Sequence, residues 1–459
     1  MSYQGAQPSI TALTRVRVDQ NAPAPRHPEA AGDQPTEARM RLLYVVGGGP
    51  GIADRVDISD LFARRLAAKG LEIDWVMDDP SPGPAWRKGR WMNADAYLIG
   101  RARRGGLPGR IANKLRDLGA DLQTFWLVLR GDYDLVQVRD KFLVAVLALI
   151  AARIRGIRFT YWASYPFAEC RILDAREGRA RFPILSLIGG RLASWLLYRI
   201  ILPNADRIFV QSQRMLEDFR SQGIPESAMT PVPMGIGEHL LEYPSLPVTP
   251  RTVLYLGTLN LVRRLDTLVE ALAIVRRDFP DARLIFVGDG DVPEDRRRLE
   301  EAIQAFGLGE AVEITGWRPA AEAHERVRRA AVCVSPFYPT PILLSTSPTK
   351  LIEYMALQRP VVANEHPEQS IIIAESGAGL CVPWSAEDFA QAIARLFADP
   401  EAAEAMGRRG REYVRSKRLY SLIAEDVAAE YFRLLPRPGR QATQTAAAGI
   451  VQSSKRKWR

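Results

Sequence analysis

Short apolar runs alternate with longer stretches whose apolar residues recur every three or four positions, and the alternation runs through two rounds between Met40 and Leu435. The short runs read as strands and the amphipathic stretches as helices. The first round gives strand Leu42–Val46, a glycine-rich turn Gly47-Gly48-Gly49-Pro50-Gly51, and a helix over Asp60–Lys69 that stops at Gly70. Strand Glu72–Met77 follows. Leu135–Val138 then precedes the apolar helix Phe142–Arg155, Arg158–Trp162 is a further strand, and Arg207–Gln211 leads into a helix that begins near Ser212. Short strands spaced by helices of this length build a parallel sheet covered on both faces.

The periodic pattern lapses over Pro231–Pro250, where five prolines and two glycines mark a domain boundary. A second round follows with strand Thr252–Leu256, helix Leu265–Phe279, strand Arg283–Val287 and helix Glu294–Phe306. It continues through Val312–Thr315, helix Glu322–Ala330, strand Val332–Ser335, helix Thr349–Leu357 and strand Val361–Asn364. The expected fold is α/β, with two Rossmann-like domains facing across a cleft lined by the carboxyl ends of parallel strands. The boundaries read as 1–39 for a disordered arm, 40–235 and 236–415 for the domains, 416–435 for a helix that packs back on the first domain, and 436–459 for a disordered basic tail.

Composition narrows the function classes. With 47% hydrophobic and 25% charged residues the chain can fill two cores. Cys170, Cys333 and Cys381 are far apart and the four histidines form no HExxH, which argues against a disulfide framework or a zinc site and for a cytoplasmic protein. The longest unbroken apolar run, Phe142–Ala152, falls short of the ~20 residues that span a bilayer. Of the net charge of +9, six charges sit after Pro436 without an acid, which suits either a solvated tail or an anionic membrane surface. A second basic cluster runs from Arg87 to Arg116, and no recognition-helix or single-strand signature accompanies it, so nucleic acid is not expected as a partner. The apolar segment Phe182–Leu202 contains Arg191 and Arg199, which suits a core helix or one lying in a membrane interface better than a span.

Candidate chemistry concentrates in the loops after strands. Gly48 and Gly49 lie in a turn able to approach a ligand in the cleft, as does the strand end at Ser164, and their spacing does not complete GxGxxG. Gly257 and Thr258 follow a strand, and Arg263 precedes a helix whose N-terminus favours anions. Ser345-Thr346-Ser347-Pro348-Thr349-Lys350 opens another helix, with Ser347 as the expected cap, Pro348 at the first position, and Glu353 one turn inside. Asp289-Gly290-Asp291 is a lone carboxylate pair at a strand end, a poor magnesium site.

From about Met40 to Leu435 these blocks resemble the family 4 glycosyltransferases of the GT-B fold, above all in Gly257–Leu272, Leu284–Gly290 with Val312–Gly316, and Ser345–Asn364. The resemblance implies a retaining transfer of a sugar from a nucleotide-diphosphate sugar to a hydroxyl acceptor, with Gly48, Gly49 and Ser164 on the acceptor side. The segment Phe182–Leu202 beside the basic cluster suits a lipid-linked glycan as that acceptor, as in surface polysaccharide assembly, on the inner face of the membrane. No metal or cofactor is expected. Arg263 falls where the family binds the donor diphosphate and Glu353 where it binds the ribose. Three positions depart from the pattern: Ser345 replaces a glutamate that contacts the donor sugar, Thr258 replaces an arginine, and the strand end Tyr161–Ser164 lacks a histidine. Branches with a Ser-x-Pro-x-Lys-x-x-Glu-Tyr block share the first departure, and Lys350 then supplies the charge that Thr258 lacks. Two other classes use the same fold, a nucleotide-sugar epimerase and a catalytically silent binding protein.

Overall fold

The computed structural model describes residues 39–47, 55–92, 94–102, 106–290 and 292–435. Most of the N-terminal arm, the turn glycines Gly48 and Gly49, Arg103, Arg104, Asp291 and the basic tail lie outside the described residues.

The first half is an eight-stranded sheet built from β1 (Met40–Val46), β2 (Leu71–Pro82), β3 (Arg87–Trp91), β4 (Ala94–Arg101), β5 (Leu135–Arg139), β6 (Arg158–Ala163), β7 (Arg207–Val210) and β8 (Met229–Pro231). The strand order is β3-β4-β2-β1-β5-β6-β7-β8. All neighbours are parallel except the β3–β4 hairpin. β1 and β5 are buried almost throughout, as central strands covered on both faces must be. The second half has β9 (Thr249–Leu256), β10 (Arg283–Val287), β11 (Val312–Ile314), β12 (Ala330–Ser335), β13 (Val361–Asn364) and β14 (Gly379–Val382). These form an all-parallel sheet in the order β11-β10-β9-β12-β13-β14.

Several elements go beyond the sequence reading, among them strand β14 and the helices Ala386–Ala398 and Pro400–Lys417. The β3–β4 hairpin and the helix Gly106–Arg130 occupy a region that reads as basic and glycine-rich. Much of that basic cluster is already neutralised: Arg87 pairs with Asp79, Lys88 with Asp95, and Arg101 with Asp117. Arg116 donates to the carbonyls of Gly83 and Gly100.

The two halves are joined twice. Ile236 donates its N–H to the Arg418 carbonyl at 2.9 Å and accepts from the Tyr420 N–H at 2.9 Å. The helix Tyr420–Arg433 then lies on the first sheet, where Ile423, Val427 and Tyr431 join Leu42, Tyr44, Phe62 and Trp75 in one core. The carboxyl ends of the two sheets face each other: Ser212, just after β7, donates its hydroxyl to the Ser345 carbonyl at 2.7 Å.

Candidate functional site

Two strand ends make the floor of the site on the second domain. β9 is followed by Gly257 and β10 by Gly288, with φ of 138° and 142°, a region that side chains rarely adopt. A Cβ on Gly288 would meet the Gly257 carbonyl oxygen at 2.1 Å, and one on Gly257 would meet Lys350 Cε at 2.1 Å. Glycine at both positions therefore lets two strand ends and a lysine side chain crowd into one place. The strand-end packing is completed from below: Leu256 donates its N–H to the Tyr354 hydroxyl at 2.7 Å, and the Tyr255 hydroxyl donates to the Thr258 carbonyl at 2.9 Å. Thr258 is buried, engaged through its backbone in that turn.

Lys350 stands in the first turn of the helix Thr349–Ala356, buried, with Nζ 5.7 Å from the centre of the Tyr255 ring. Burial depresses its pKa well below the lysine range, Arg263 nearby depresses it further, and only Glu353 opposes them. Glu353, half-buried one turn along the same helix, is raised to about 7 by burial against the pull of Lys350. Arg263 ends a single turn, Leu261–Arg263, before the helix Asp266–Val275. It has no acidic partner among the described residues, and its buried Nε is without a hydrogen bond. Arg264 beside it is spoken for, paired with Asp266 at 3.0 Å and lying 5.5 Å over the Tyr338 ring. Two basic groups, Arg263 and Lys350, share one carboxylate, Glu353, and an anion bound between them would favour the charged form of both.

The loop that delivers Lys350 is fastened to the end of β13. Asn364 accepts from the Phe337 N–H at 2.7 Å and donates to the Phe337 carbonyl at 2.8 Å. His366 contacts the Leu343 carbonyl through Nε2 at 3.0 Å, and burial lowers its pKa to about 4. Neither residue was singled out from the sequence. Asn364 closes a predicted strand, and its value to the site depends on a neighbour 27 positions away.

The structure redistributes the serines. Ser347 does not cap the helix: Pro348 occupies the cap position without a side-chain bond, and Pro348 and Thr349 shape the turn by their backbone. The Ser347 hydroxyl instead accepts from the Met234 N–H at 3.0 Å and donates to Glu368 at 3.0 Å, and Glu368 pairs with Arg418 at 3.0 Å. The reason is competition, since a buried linker N–H and a buried carboxylate both need a partner at that point. Ser345 donates its hydroxyl to Asp218 of the first domain. Both serines thus pin the two halves together.

On the facing domain Ser164 sits at the end of β6 with its N–H 2.9 Å from Asp140 and its hydroxyl also on that carboxylate. Arg139 donates to the Ser164 hydroxyl at 3.2 Å and pairs with Asp57 at 2.6 Å. Burial would raise the Asp57 carboxyl, but Arg139 and Arg55 hold it well below the usual carboxylate range. In Asp140 burial prevails over Arg139 and the pKa is raised. The sequence reading reaches only Ser164 of this network, and Asp140, which carries a positive φ of 54° without being glycine, lies at its centre. Tyr165 follows Ser164 and feels the charge of Arg263 across the cleft. Gly47, the described end of the glycine turn, lies against Asp78 and Lys141.

Asp289 bonds its own turn through the Gly290 N–H at 2.9 Å and pairs with Arg296 at 3.4 Å; Asp291 is outside the described residues. A depression of about 430 Å³ lined by Thr249, Arg283, Glu310 and Arg326 lies at the opposite, amino-terminal edge of the second sheet, away from these groups.

Comparison with known proteins finds two family matches along the chain. Residues 59–235 match the family described as glycosyl transferase 4-like domain, and residues 250–399 match glycosyl transferases group 1. Over 180 residues the chain is 27% identical to alpha-D-kanosaminyltransferase of Streptomyces kanamyceticus, taking in 39% of this chain. The match spans 45% of that relative's length. Among solved structures, sucrose-phosphate synthase from Thermosynechococcus elongatus superposes with a TM-score of 0.64 at 23% identity, covering 86% of this chain and 99% of the other. Anabaena HepE, solved with UDP and glucose, gives 0.62 at 16% identity, covering 86% and 100%. These structural likenesses establish the fold, two Rossmann-like domains in the GT-B arrangement.

Proposed function

Because a glycosyl transferase 4-like domain and a group 1 domain stand in tandem, which makes the chain a GT-B glycosyltransferase by family, we propose that it transfers a sugar from a nucleotide-diphosphate donor to a hydroxyl acceptor. The observation that carries the reading is the pair Arg263 and Lys350, two cations without acidic counterparts of equal number beside the tight strand ends at Gly257 and Gly288. A diphosphate placed there meets both charges and the positive end of the helix Thr349–Ala356. Glu353, one turn deeper, is positioned to accept from ribose hydroxyls.

Catalysis in this scheme is positional and electrostatic. Arg263 and Lys350 stabilise the charge that develops on the departing diphosphate as the glycosidic bond breaks. The same two cations offset the diphosphate charge without a metal ion. Retention at the anomeric carbon fits a front-face displacement, since among the described residues Glu353 is the carboxylate beside Lys350 and a glycosidase-type double displacement needs a carboxylate pair. The acceptor hydroxyl approaches from the first domain, near Ser164 and Tyr165, and we assign it to a lipid-linked glycan at the cytoplasmic face of a membrane.

The test is a panel of nucleotide sugars with release of nucleotide diphosphate as the readout, in the presence and absence of EDTA. Arg263→Ala or Lys350→Ala should weaken nucleotide diphosphate binding 10–100-fold, the ~1.5–3 kcal/mol of a charged hydrogen bond, and reduce transfer further. Unchanged binding in both variants would remove them from the site. Conversion of the free nucleotide sugar without acceptor would favour an epimerase, and product of inverted configuration by NMR would refute retention.

A further inference from the structure

We propose that the outer helical face of the first domain docks in the plane of an anionic lipid bilayer. Most of the large apolar side chains exposed among the described residues fall on three helices of that face. On the helix Gly106–Arg130, Ile111, Leu115, Leu118, Leu122 and Trp126 follow one another by three or four positions and are each 45–65% exposed. The opposite stripe of the same helix, Ala120, Thr124 and Val128, is buried in the core. The helix therefore has two apolar faces, and the sheet uses only one.

The next helix, Leu143–Arg155, packs against it and shows the same division. Ala145, Ala148 and Ala152 face the core while Leu143, Ile150 and Ile154 are exposed. The helix Pro183–Leu196 adds a third stripe, with Ile184, Ile188, Leu192 and Trp195 at 54–74% exposure. Its continuation, Leu197–Ile201, returns to pack against Leu143–Arg155.

Charge selects the occupant. Arg110, Lys114, Arg130, Arg181, Arg191 and Arg199 stand on or beside these stripes, and none has an acidic partner among the described residues. Arg130 lies 5.0 Å over the Trp126 ring and Arg181 5.3 Å over Phe182. Neither Leu143–Arg155 nor Pro183–Asn204 contains an acidic residue. A second copy of the chain on this face would oppose cation to cation, whereas anionic headgroups complement the rim while acyl chains cover the apolar stripes. Two tryptophans at the boundary suit the same interface.

The segment Pro183–Asn204 is long and apolar enough to cross a membrane. It lies on the surface instead, because Leu197, Ile201 and Leu202 are 5%, 0% and 1% exposed within the core of the first domain. The helices Gly106–Arg130 and Leu143–Arg155 start from the carboxyl ends of β4 and β5, so their apolar stripes begin at the rim of the cleft. The docking inference rests on the surface alone, and a lipid-borne hydroxyl entering at that rim is its consequence for the proposed transfer.

The experiment is flotation of the full chain with phosphatidylcholine vesicles, with and without phosphatidylglycerol. The protein should float with the anionic vesicles. The double variant L115E/I188E, both exposed positions, should lose flotation tenfold or more while its melting temperature and nucleotide binding stay unchanged. A chain ending at Leu435 should float as the full chain does. The inference is overturned if nothing floats with either vesicle, if removing the tail abolishes flotation that L115E/I188E leaves intact, or if sedimentation shows a dimer that L115E/I188E dissociates.

Discussion

At Lys350 a buried amine shares its surroundings with a second cation and one carboxylate. Burial and Arg263 push its pKa down while burial pushes Glu353 up to about 7, so the empty site disfavours the charged form of both. A bound diphosphate reverses this for Lys350 by supplying negative charge. Binding should therefore take up protons at pH values above the depressed Lys350 pKa, and affinity should fall as pH rises through that window. Titration calorimetry in buffers of different ionisation enthalpy measures the uptake, and its absence would mean that Lys350 is already charged in the empty site. The Glu353 contribution to stability has the opposite bookkeeping to a salt-bridged carboxylate. A raised pKa means stability present below the ordinary glutamate range and lost as pH climbs to about 7, so Glu353→Gln should flatten the stability profile between about pH 4.5 and 7. At Gly257 a methyl group would collide with Lys350 Cε and the backbone would resist φ of 138°. Gly257→Ala should consequently cost ~1–3 kcal/mol of stability and displace Lys350, lowering nucleotide affinity together with the melting temperature.

The elements that hold the site differ in how openly the sequence announces them. Much of the second domain is legible because its strands are short, apolar and closed by glycine, proline or asparagine: β10 and β13 coincide with the runs Arg283–Val287 and Val361–Asn364, while the edge strand β14 is not read from the sequence. The helix bearing Lys350 and Glu353 is legible for a similar reason, a proline at its start and apolar residues at helical spacing. What stays hidden is pairing over distance. Ser347 reads as a cap because local rules reward that position, yet Met234 and Glu368, 113 and 21 residues away, claim its hydroxyl. Gly106–Arg130 escapes notice because apolar residues on two faces blur the period that marks an amphipathic helix. The same logic gives a test of the loop that carries Lys350. Asn364 is fully buried and bonds both backbone groups of Phe337, so Asn364→Ala strands a donor and an acceptor in the core. A loss of ~2–4 kcal/mol by denaturant titration is expected, with weaker nucleotide binding although Asn364 lies outside the proposed contacts.

Over the whole molecule the chain crosses between its halves at Ile236 and returns beside it at Leu419, so the last helix belongs by contact to the first domain. Its apolar face fills a core that the first sheet alone leaves open: Val427 is 2% exposed and Tyr431 fully buried, its hydroxyl donating to Gln137 at 2.5 Å. The cores of the second domain are made of other residues and reach the returning segment only at Leu419. Damage to the helix should then be felt by the first domain and spare the second. Val427→Asp places a charge where no partner is available and should cost ~3 kcal/mol or more. Calorimetry should show an early transition for the first domain, while the transition raised by nucleotide diphosphate keeps its midpoint. If both transitions fell together, the returning helix would be a brace for the entire molecule, and the cleft could open only by detaching it.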